Sequence, residues 1–311
     1  MTSEYIKKSL KRIEGKHVLV TGGTGFIGSH LVEALKDFCK VVILSRTRKT
    51  GGVTTINADL RDESDIYKKI SDLDIDIVFH LAGNVRLPGK AKDHLEINAI
   101  GTRNLLEVCR MKDIEVFIYS SSMSVFGNPL YLPVDEKHPK IPISFYGISK
   151  LLGEKYCDEY RRFYGINTTI LRYSHVFGPR QPITWVTSIF INDALSNKSL
   201  RIYGTGKSSG DFIYVKDVVY ANILAASQKN AIGEDFNIGT GKETTIEELA
   251  HAIKKLTGKG DISYIPEKNK KITRFVFDIS KAKEIIGYTP QYTLEEGLLE
   301  QIEYISKRKI K

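Results

Sequence analysis

Tyr146 and Lys150 stand four residues apart in a stretch of helical periodicity, so both side chains point to one face. An ammonium beside a phenol favours phenolate and lowers its pKa. Such a phenol is a usable general acid or base near neutral pH. Upstream, Ser120, Ser121, Ser122 and Ser124 follow on an apolar run at residues 116–120. A serine at the C-terminal edge of a parallel strand lies where α/β proteins bind ligands. Its hydroxyl can hydrogen-bond a substrate alcohol or carbonyl. Taken alone, a Tyr–Lys pair at this spacing is ordinary surface packing, and a serine-rich turn is common. The chemistry needs a further signal.

That signal is Val18-Leu-Val-Thr-Gly22-Gly23-Thr-Gly25-Phe-Ile-Gly28, which runs from a strand pattern into a helix pattern. Glycines permit the tight turn and let a pyrophosphate approach the backbone. The helix N-terminus supplies unpaired N–H groups and a positive dipole. No Gly-Lys-Ser/Thr follows, so this is not a P-loop. The NAD form of the motif expects an acid about twenty residues on. Here that place reads Leu44-Ser45-Arg46-Thr47-Arg48-Lys49. Ser45 and Arg46 suit a 2′-phosphate, which predicts NADP. The other reading is an exposed basic loop beside an ordinary NAD site.

Positioning these groups calls for alternating strands and helices. Apolar runs at 17–21, 41–44, 53–57, 75–81, 116–120 and 167–173 read as strands. Residues 27–38, 65–73, 95–111 and 145–163 read as helices, and 4–14 as a short amphipathic helix before the main fold. The pattern predicts an α/β fold, a Rossmann-type doubly wound parallel sheet with a smaller C-terminal α+β substrate domain. The texture changes after Phe177-Gly178-Pro179. The expected dinucleotide-binding domain is 1–178 plus about 212–240, and the substrate domain 179–211 and 241–311. Thr245–Glu248 and Thr293–Glu296 have capping-box spacing. Trp185 is expected on an amphipathic helix, as packing.

Forty-six Lys and Arg against 37 Asp and Glu give a net charge of +9, which favours anionic partners. The cations gather at both ends, at 46–49 and at 268–274. No run of 18 apolar residues predicts a membrane span, and no secretory signal is visible. Cys39, Cys109 and Cys157 are too sparse for a disulfide framework and lack zinc spacing, which fits a reducing cytoplasm. No metal site is expected. His17, His30, His80, His94, His138 and His251 have no ligand spacing and are read as structural.

Glycine loop, strand-end serine and Tyr-x-x-x-Lys, in this order, resemble the extended short-chain dehydrogenase/reductases, specifically the nucleotide-sugar epimerase/dehydratase family, and most of all its 4-epimerases. Further motifs carry the likeness: Asn57-Ala-Asp59, His80-Leu-Ala-Gly83, Asn98-Ala-Ile-Gly101, Ser122-Met-Ser-Val-Phe-Gly127, Leu171–Gln181, Asp211–Asp217, Phe236–Gly241 and Asp278–Lys283. The resemblance implies that Ser122, Tyr146 and Lys150 are catalytic. It implies cofactor contacts from Gly22, Gly25, Phe26, Ile27, Gly28, Ser45, Arg46, Asp59 and Leu60. Leu81, Ala82, Gly83, Asn98, Tyr146, Lys150 and Tyr173 would join them. Ser122, Ser124, His175, Lys268 and Arg274 would meet a nucleotide diphosphate-sugar.

Met123 and Ser124 stand where the family's dehydratases carry acids, so a 4-epimerase of UDP-hexoses is the expectation. His175 and Gly210 replace the family's usual Asn and Arg, and Lys268, Lys270, Lys271 and Arg274 are expected to restore that charge. The basic loop leans to NADP and to an NADPH-dependent 4-keto-sugar reductase; the epimerase likeness leans to NAD. A third reading, of another class, is a non-catalytic dinucleotide- or RNA-binding protein. Intact Ser122, Tyr146 and Lys150 argue against it, and no nucleic acid is expected. The family's habit of pairing two helices per subunit implies a homodimer through 95–111 and 145–163.

Overall fold

The computed structural model describes residues 4–47, 52–85, 89–267 and 272–309. The chain opens with α1 (Glu4–Arg12), β1 (His17–Thr21), α2 (Phe26–Leu35), β2 (Lys40–Ser45), β3 (Thr54–Asn57), α3 (Glu63–Ile70) and β4 (Ile77–His80). It continues through α4 (Ala91–His94), a π-helical turn at Leu95–Ile100, α5 (Gly101–Arg110), β5 (Val116–Ser122), α6 (Phe145–Tyr164) and β6 (Thr168–Tyr173). Then follow β7 (His175–Phe177), α7 (Val186–Leu195), β8 (Leu200–Tyr203), β9 (Ser209–Gly210), β10 (Phe212–Tyr214), α8 (Val215–Ala226) and β11 (Asp235–Ile238). The last elements are β12 (Thr244–Thr245), α9 (Ile246–Thr257), β13 (Ile262–Ile265), α10 (Ser280–Ile286) and α11 (Leu294–Lys309).

Seven strands form one parallel sheet in the order β3-β2-β1-β4-β5-β6-β11. The order reverses between β1 and β4, and ligands of open α/β sheets bind at the carboxyl ends beside that reversal. Strands β4, β5 and β6 are buried along their whole length, as a sheet covered on both faces requires. One apolar core lies on the α2–α8 side and another beneath α3, α5 and α6.

Chain segments beyond residue 178 divide their allegiance. β8 pairs with β13 and β9 with β12, apart from the main sheet. α8 packs on α1 and α2, and β11 completes the sheet beside β6. Thr245 and Glu248 form the capping box at α9, and Thr293 and Glu296 make the same reciprocal bonds before α11.

Two expectations need correction. The helix read as continuous over 95–111 is interrupted by the π turn, whose wider winding carries Asn98. Strand β5 runs on to Ser122, two residues past the apolar run, because parallel pairing with β6 continues through Ser122–Tyr173.

Candidate active site

The glycine loop leaves β1 and enters α2 with the backbone packed too tightly for side chains. A Cβ on Gly22, whose φ is 70°, would lie 2.8 Å from the Ala82 backbone. One on Gly28 would meet the Gly22 carbonyl oxygen at 2.2 Å. The first turn of α2 contains no acidic residue, so its dipole is left for an anion. These residues form one side of a cleft of about 380 Å³, together with Phe26, Ile27 and Gly25. Ser45, Arg46, Asp59, Leu60, Leu81, Ala82 and Gly83 also line it, Ala82 close beside Gly22. Glycine at 22, 25 and 28 keeps Cβ atoms off this turn, which leaves its backbone open to the phosphates of a dinucleotide.

Local contacts moderate the basic loop. Ser45 Oγ lies 3.0 Å from Thr24 Oγ1 and accepts the Thr47 N–H at 3.3 Å. The Arg61 guanidinium grips Asp59, with Nε to Oδ1 at 3.0 Å and Nη2 to Oδ2 at 2.6 Å. That fork, helped by the Arg61 N–H and by the Arg46 charge, holds the Asp59 carboxyl below its usual range. Asp59 is therefore ionised, and its charge is paired with Arg61. Arg48 and Lys49 lie outside the described residues.

Behind Ala82 runs a buried relay. The Thr102 hydroxyl donates to the Asn98 carbonyl at 2.6 Å, so its oxygen is free to accept from His80 Nε2 at 2.9 Å. His80 Nδ1 then accepts from Thr21 Oγ1 at 2.7 Å, and Thr21 in turn accepts the Ala82 N–H at 3.2 Å. Burial lowers the His80 pKa to about 3, which keeps the ring neutral and this single tautomer in place. The structural reading of His80 holds. Asn98 is not among the cleft's lining residues; it works from beneath. Its Oδ1 accepts the Asn84 N–H at 2.6 Å and its Nδ2 donates to the Asn84 carbonyl at 3.0 Å.

Ser122 ends β5, and Tyr146 lies in the first turn of α6, which Ser144 caps through the Gly147 N–H. Ser122 Oγ accepts the Ser124 N–H at 3.1 Å and donates to Ser124 Oγ at 3.2 Å. Burial raises the Tyr146 pKa, and a hydrogen bond with Ser122 works against that rise. The expected lowering by Lys150 is thus corrected: burial raises the phenol, and the contribution opposing it comes from Ser122. Lys150 is itself buried, with Nζ 4.4 Å from the Tyr119 ring centroid, and its pKa is lowered to about 8. Ser122 acts on Tyr146 from the end of β5, with Lys150 one turn further along α6, and none of the three is among the cleft's lining residues. Tyr173 does not line the cleft. Its buried hydroxyl sits 2.9 Å from Ser120 Oγ and accepts from Asn222 Nδ2 at 2.8 Å, a structural role on β6.

A second cavity, of about 770 Å³, adjoins the cleft and is lined by His175, Phe212, Gln181 and Thr187. The two share Val85, Pro182 and Trp185. A Cβ on Gly210 would lie 2.8 Å from His175 Nδ1, so the histidine ring fills the space a side chain at 210 would need. Burial lowers the His175 pKa to about 4, leaving an uncharged ring stacked at 5.3 Å on Phe212. Arg274 departs from expectation: its guanidinium forks onto Glu243 at 2.6 and 2.7 Å, so its charge is already paired. Lys268, Lys270 and Lys271 lie outside the described residues.

Sequence reasoning missed Thr24, Ile97, Pro182 and Trp185 in the cleft. Trp185 precedes α7 as its N-cap residue and does not lie on the helix. Among the described residues no group of His, Cys, Asp and Glu is built to hold a metal ion, and no helix is long and apolar enough to cross a membrane.

Comparison with known proteins agrees with this geometry. A Methanocaldococcus jannaschii protein with a provisional name as a UDP-glucose 4-epimerase is 42% identical over 296 residues, covering 90% of this chain and 95% of its own. The UDP-glucose 4-epimerase of Thermotoga maritima, solved with UDP-glucose, superposes with a TM-score of 0.88 at 33% identity, covering 94% of this chain and 99% of that one. The UDP-glucuronic acid 4-epimerase of Bacillus cereus, solved with UDP-glucuronic acid and NAD, gives 0.84 at 31% identity and the same coverage. The family model matches residues 18–239, from the strand before the glycine loop to the end of β11. The chain therefore belongs to the NAD dependent epimerase/dehydratase family.

Proposed function

We propose that this protein is an NAD-dependent 4-epimerase of nucleotide diphosphate-sugars, with a UDP-hexose as substrate. The reading rests on the glycine-walled dinucleotide cleft, together with Ser122 at the end of β5 and Tyr146 in the first turn of α6. NAD would rest on Gly22, Gly25 and Gly28, with Asp59 toward the adenosine end and Ala82 and Gly83 toward the nicotinamide. When bound, it supplies a hydride acceptor and donor at the sugar C4. Tyr146 would take the proton of the C4 hydroxyl as phenolate, which the Lys150 charge and a bound oxidised nicotinamide would favour against the burial that raises its pKa, and later return one; Ser122 would donate to the same oxygen. Lys150 holds positive charge beside them, and its lowered pKa leaves it responsive to a nearby phenolate. The sugar diphosphate would occupy the second cavity, against His175 and Phe212. The bound NAD of the Bacillus cereus relative supports NAD over NADP.

Two further readings belong here. The dinucleotide-binding and substrate units follow 1–178 plus about 212–240, and 179–211 plus 241–311. The molecule would pair as a homodimer through α6, where Phe145, Ile148 and Leu152 form one exposed apolar row with Leu95 close in the fold.

The test is to denature freshly purified protein, identify the released nucleotide by mass spectrometry, and assay UDP-glucose for conversion to UDP-galactose. Bound NAD and interconversion without added cofactor are expected. Release of NADP, with stoichiometric NADPH oxidation by a 4-keto sugar, would overturn the reading in favour of a reductase.

A further inference from the structure

Residues 180 and 181, neighbours in sequence, grip opposite sides of the molecule. Gln181 is buried and bound to the C-terminal side: its Oε1 accepts from Ser188 at 2.9 Å and from Gln301 at 2.7 Å. Arg180 reaches the other way, to α2, the helix that begins at the glycine loop. Its Nη1 and Nη2 fork onto the Glu33 carboxylate at 2.8 and 2.7 Å. Its Nη2 also reaches His30 Nδ1 at 2.6 Å, while His30 Nε2 donates to the Pro179 carbonyl at 2.8 Å. The backbone at Arg180 is left-handed, with φ at 70°. A non-glycine residue adopts that conformation at a cost, so the surrounding contacts must hold it there.

The segment beyond this grip carries Pro182 and Trp185. Both line the dinucleotide cleft, and both also line the adjoining cavity. They are the wall between the two spaces, and Arg180 is what attaches that wall to the dinucleotide side.

We propose that Arg180 is a positioning residue for cofactor retention: by gripping Glu33 and His30 on α2, it holds Pro182 and Trp185 closed against the dinucleotide cleft. The inference rests on the reading of that cleft as an NAD site. The fork is bidentate, with the Arg180 side chain half-buried and Glu33 exposed, and two parallel bonds give such a pair its geometric hold. Releasing it frees the wall to swing out and the dinucleotide to leave.

Trp185 is the only tryptophan in the chain, which gives a direct probe. Tryptophan emission overlaps the absorption of a reduced nicotinamide, so NADH seated beside Trp185 receives excitation energy from it. Wild type, Arg180→Gly, Arg180→Lys and Glu33→Gln are loaded with NADH and chased with excess NAD. Glycine accepts the left-handed backbone, so Arg180→Gly removes the guanidinium without adding strain, and Glu33→Gln separates loss of the grip from added freedom of the loop. Glu33→Gln loosens the grip from α2 and leaves the loop untouched, and decides the matter should Arg180→Gly fail to fold.

Loss of the energy-transfer signal is expected to run roughly tenfold faster in Arg180→Gly, the factor corresponding to 1.4 kcal/mol. Glu33→Gln is expected to move the same way, and Arg180→Lys, which can rebuild one ion pair, to fall between. Reduced transfer at saturation is expected in both Arg180→Gly and Glu33→Gln. Wild-type release rates with undiminished transfer in these two variants would overturn the proposal, even if their melting temperatures fell. A wild type that binds NADH but transfers no energy from Trp185 would overturn it alone. A wild type that binds no nicotinamide nucleotide would overturn the NAD reading as well.

Discussion

The side-chain amide of Asn98 donates to the hydroxyl of Ser149 at 2.9 Å, and that hydroxyl donates to the backbone carbonyl of Tyr146 at 2.8 Å. The π turn is thereby tied to the helix that presents Tyr146 and Lys150. Since Asn98 also holds Asn84, it fixes the distance between the cleft wall and the reacting phenol. Asn98→Ala is expected to lower kcat roughly 10- to 100-fold, as small misplacements of reacting groups do. KM for the sugar nucleotide should change little. Steady-state kinetics decide it; an unchanged kcat would remove Asn98 from the positioning role.

Tyr146→Phe deletes the proton carrier and keeps the ring that packs at 6.0 Å from His94. Turnover should fall roughly 10²- to 10⁴-fold, the usual worth of general acid–base catalysis. Bound NAD, measured after denaturation, should persist. Substantial turnover in this variant would assign the proton to another group.

Lys150 offers a test by stability. Its folded pKa of about 8 lies below the ordinary 10.5, because burial disfavours the charged form. Between these values the unfolded chain binds more protons, so this residue's contribution to stability rises with pH across that window. Below pH 8 the buried charge imposes its full penalty. Lys150→Met should therefore be more stable than wild type at pH 7, by up to about 3 kcal/mol on this pKa difference. The gap should narrow between pH 8 and 10.5. Urea unfolding at pH 7 and pH 10 measures it, and a gap that stays constant would contradict the argument.

Gly22→Ala places a Cβ against the Ala82 backbone and forces a left-handed conformation on alanine. A cost of about 1–3 kcal/mol in stability is expected. Bound dinucleotide should be lost with it. Thermal melts and nucleotide release report the two effects separately; retained NAD at wild-type occupancy would show that the loop tolerates more width than its contacts suggest.

Arg172 is buried with Glu154, Nε to Oε1 at 2.8 Å and Nη2 to Oε2 at 2.9 Å, and it also pairs with Asp235. Arg172→Ala strands buried carboxylates and should cost about 3–5 kcal/mol. Replacing Arg172 with Met and Glu154 with Leu together should cost much less, since Asp235 keeps Lys281 and Ser121 loses one partner. Denaturant midpoints of the single and double variants settle the comparison.

Local signals made much of this architecture legible. The glycine loop, the buried β-branched runs and the capping boxes each act within a few residues, and each lay where its sequence pattern put it. The unread features depend on long-range contact. The π turn is set by packing around Asn98, not by propensity in Leu95–Ile100. Pro182 and Trp185 join the cleft only because the chain returns across α2 after some 150 residues, as the Arg180–Glu33 bond records. Tyr146 and Lys150 announced their spacing plainly, but the direction of the Tyr146 shift follows from burial, which spacing does not contain. Arg274 read as an available cation because Glu243, 31 residues away, is its partner only in the fold.

Strand β11 has a bearing on how the molecule is made. It is the outermost strand of the sheet, yet it follows α7, β8, β9 and β10 in the chain. While a ribosome is still adding residues 179–234, β6 has one bare edge and Arg172 lacks its Asp235 partner. Bare strand edges pair promiscuously with other chains. The nascent protein therefore passes through a long sticky interval that ends only when Ile238 has emerged from the exit tunnel, and slow codons within that interval would show up as aggregate rather than as inactive enzyme.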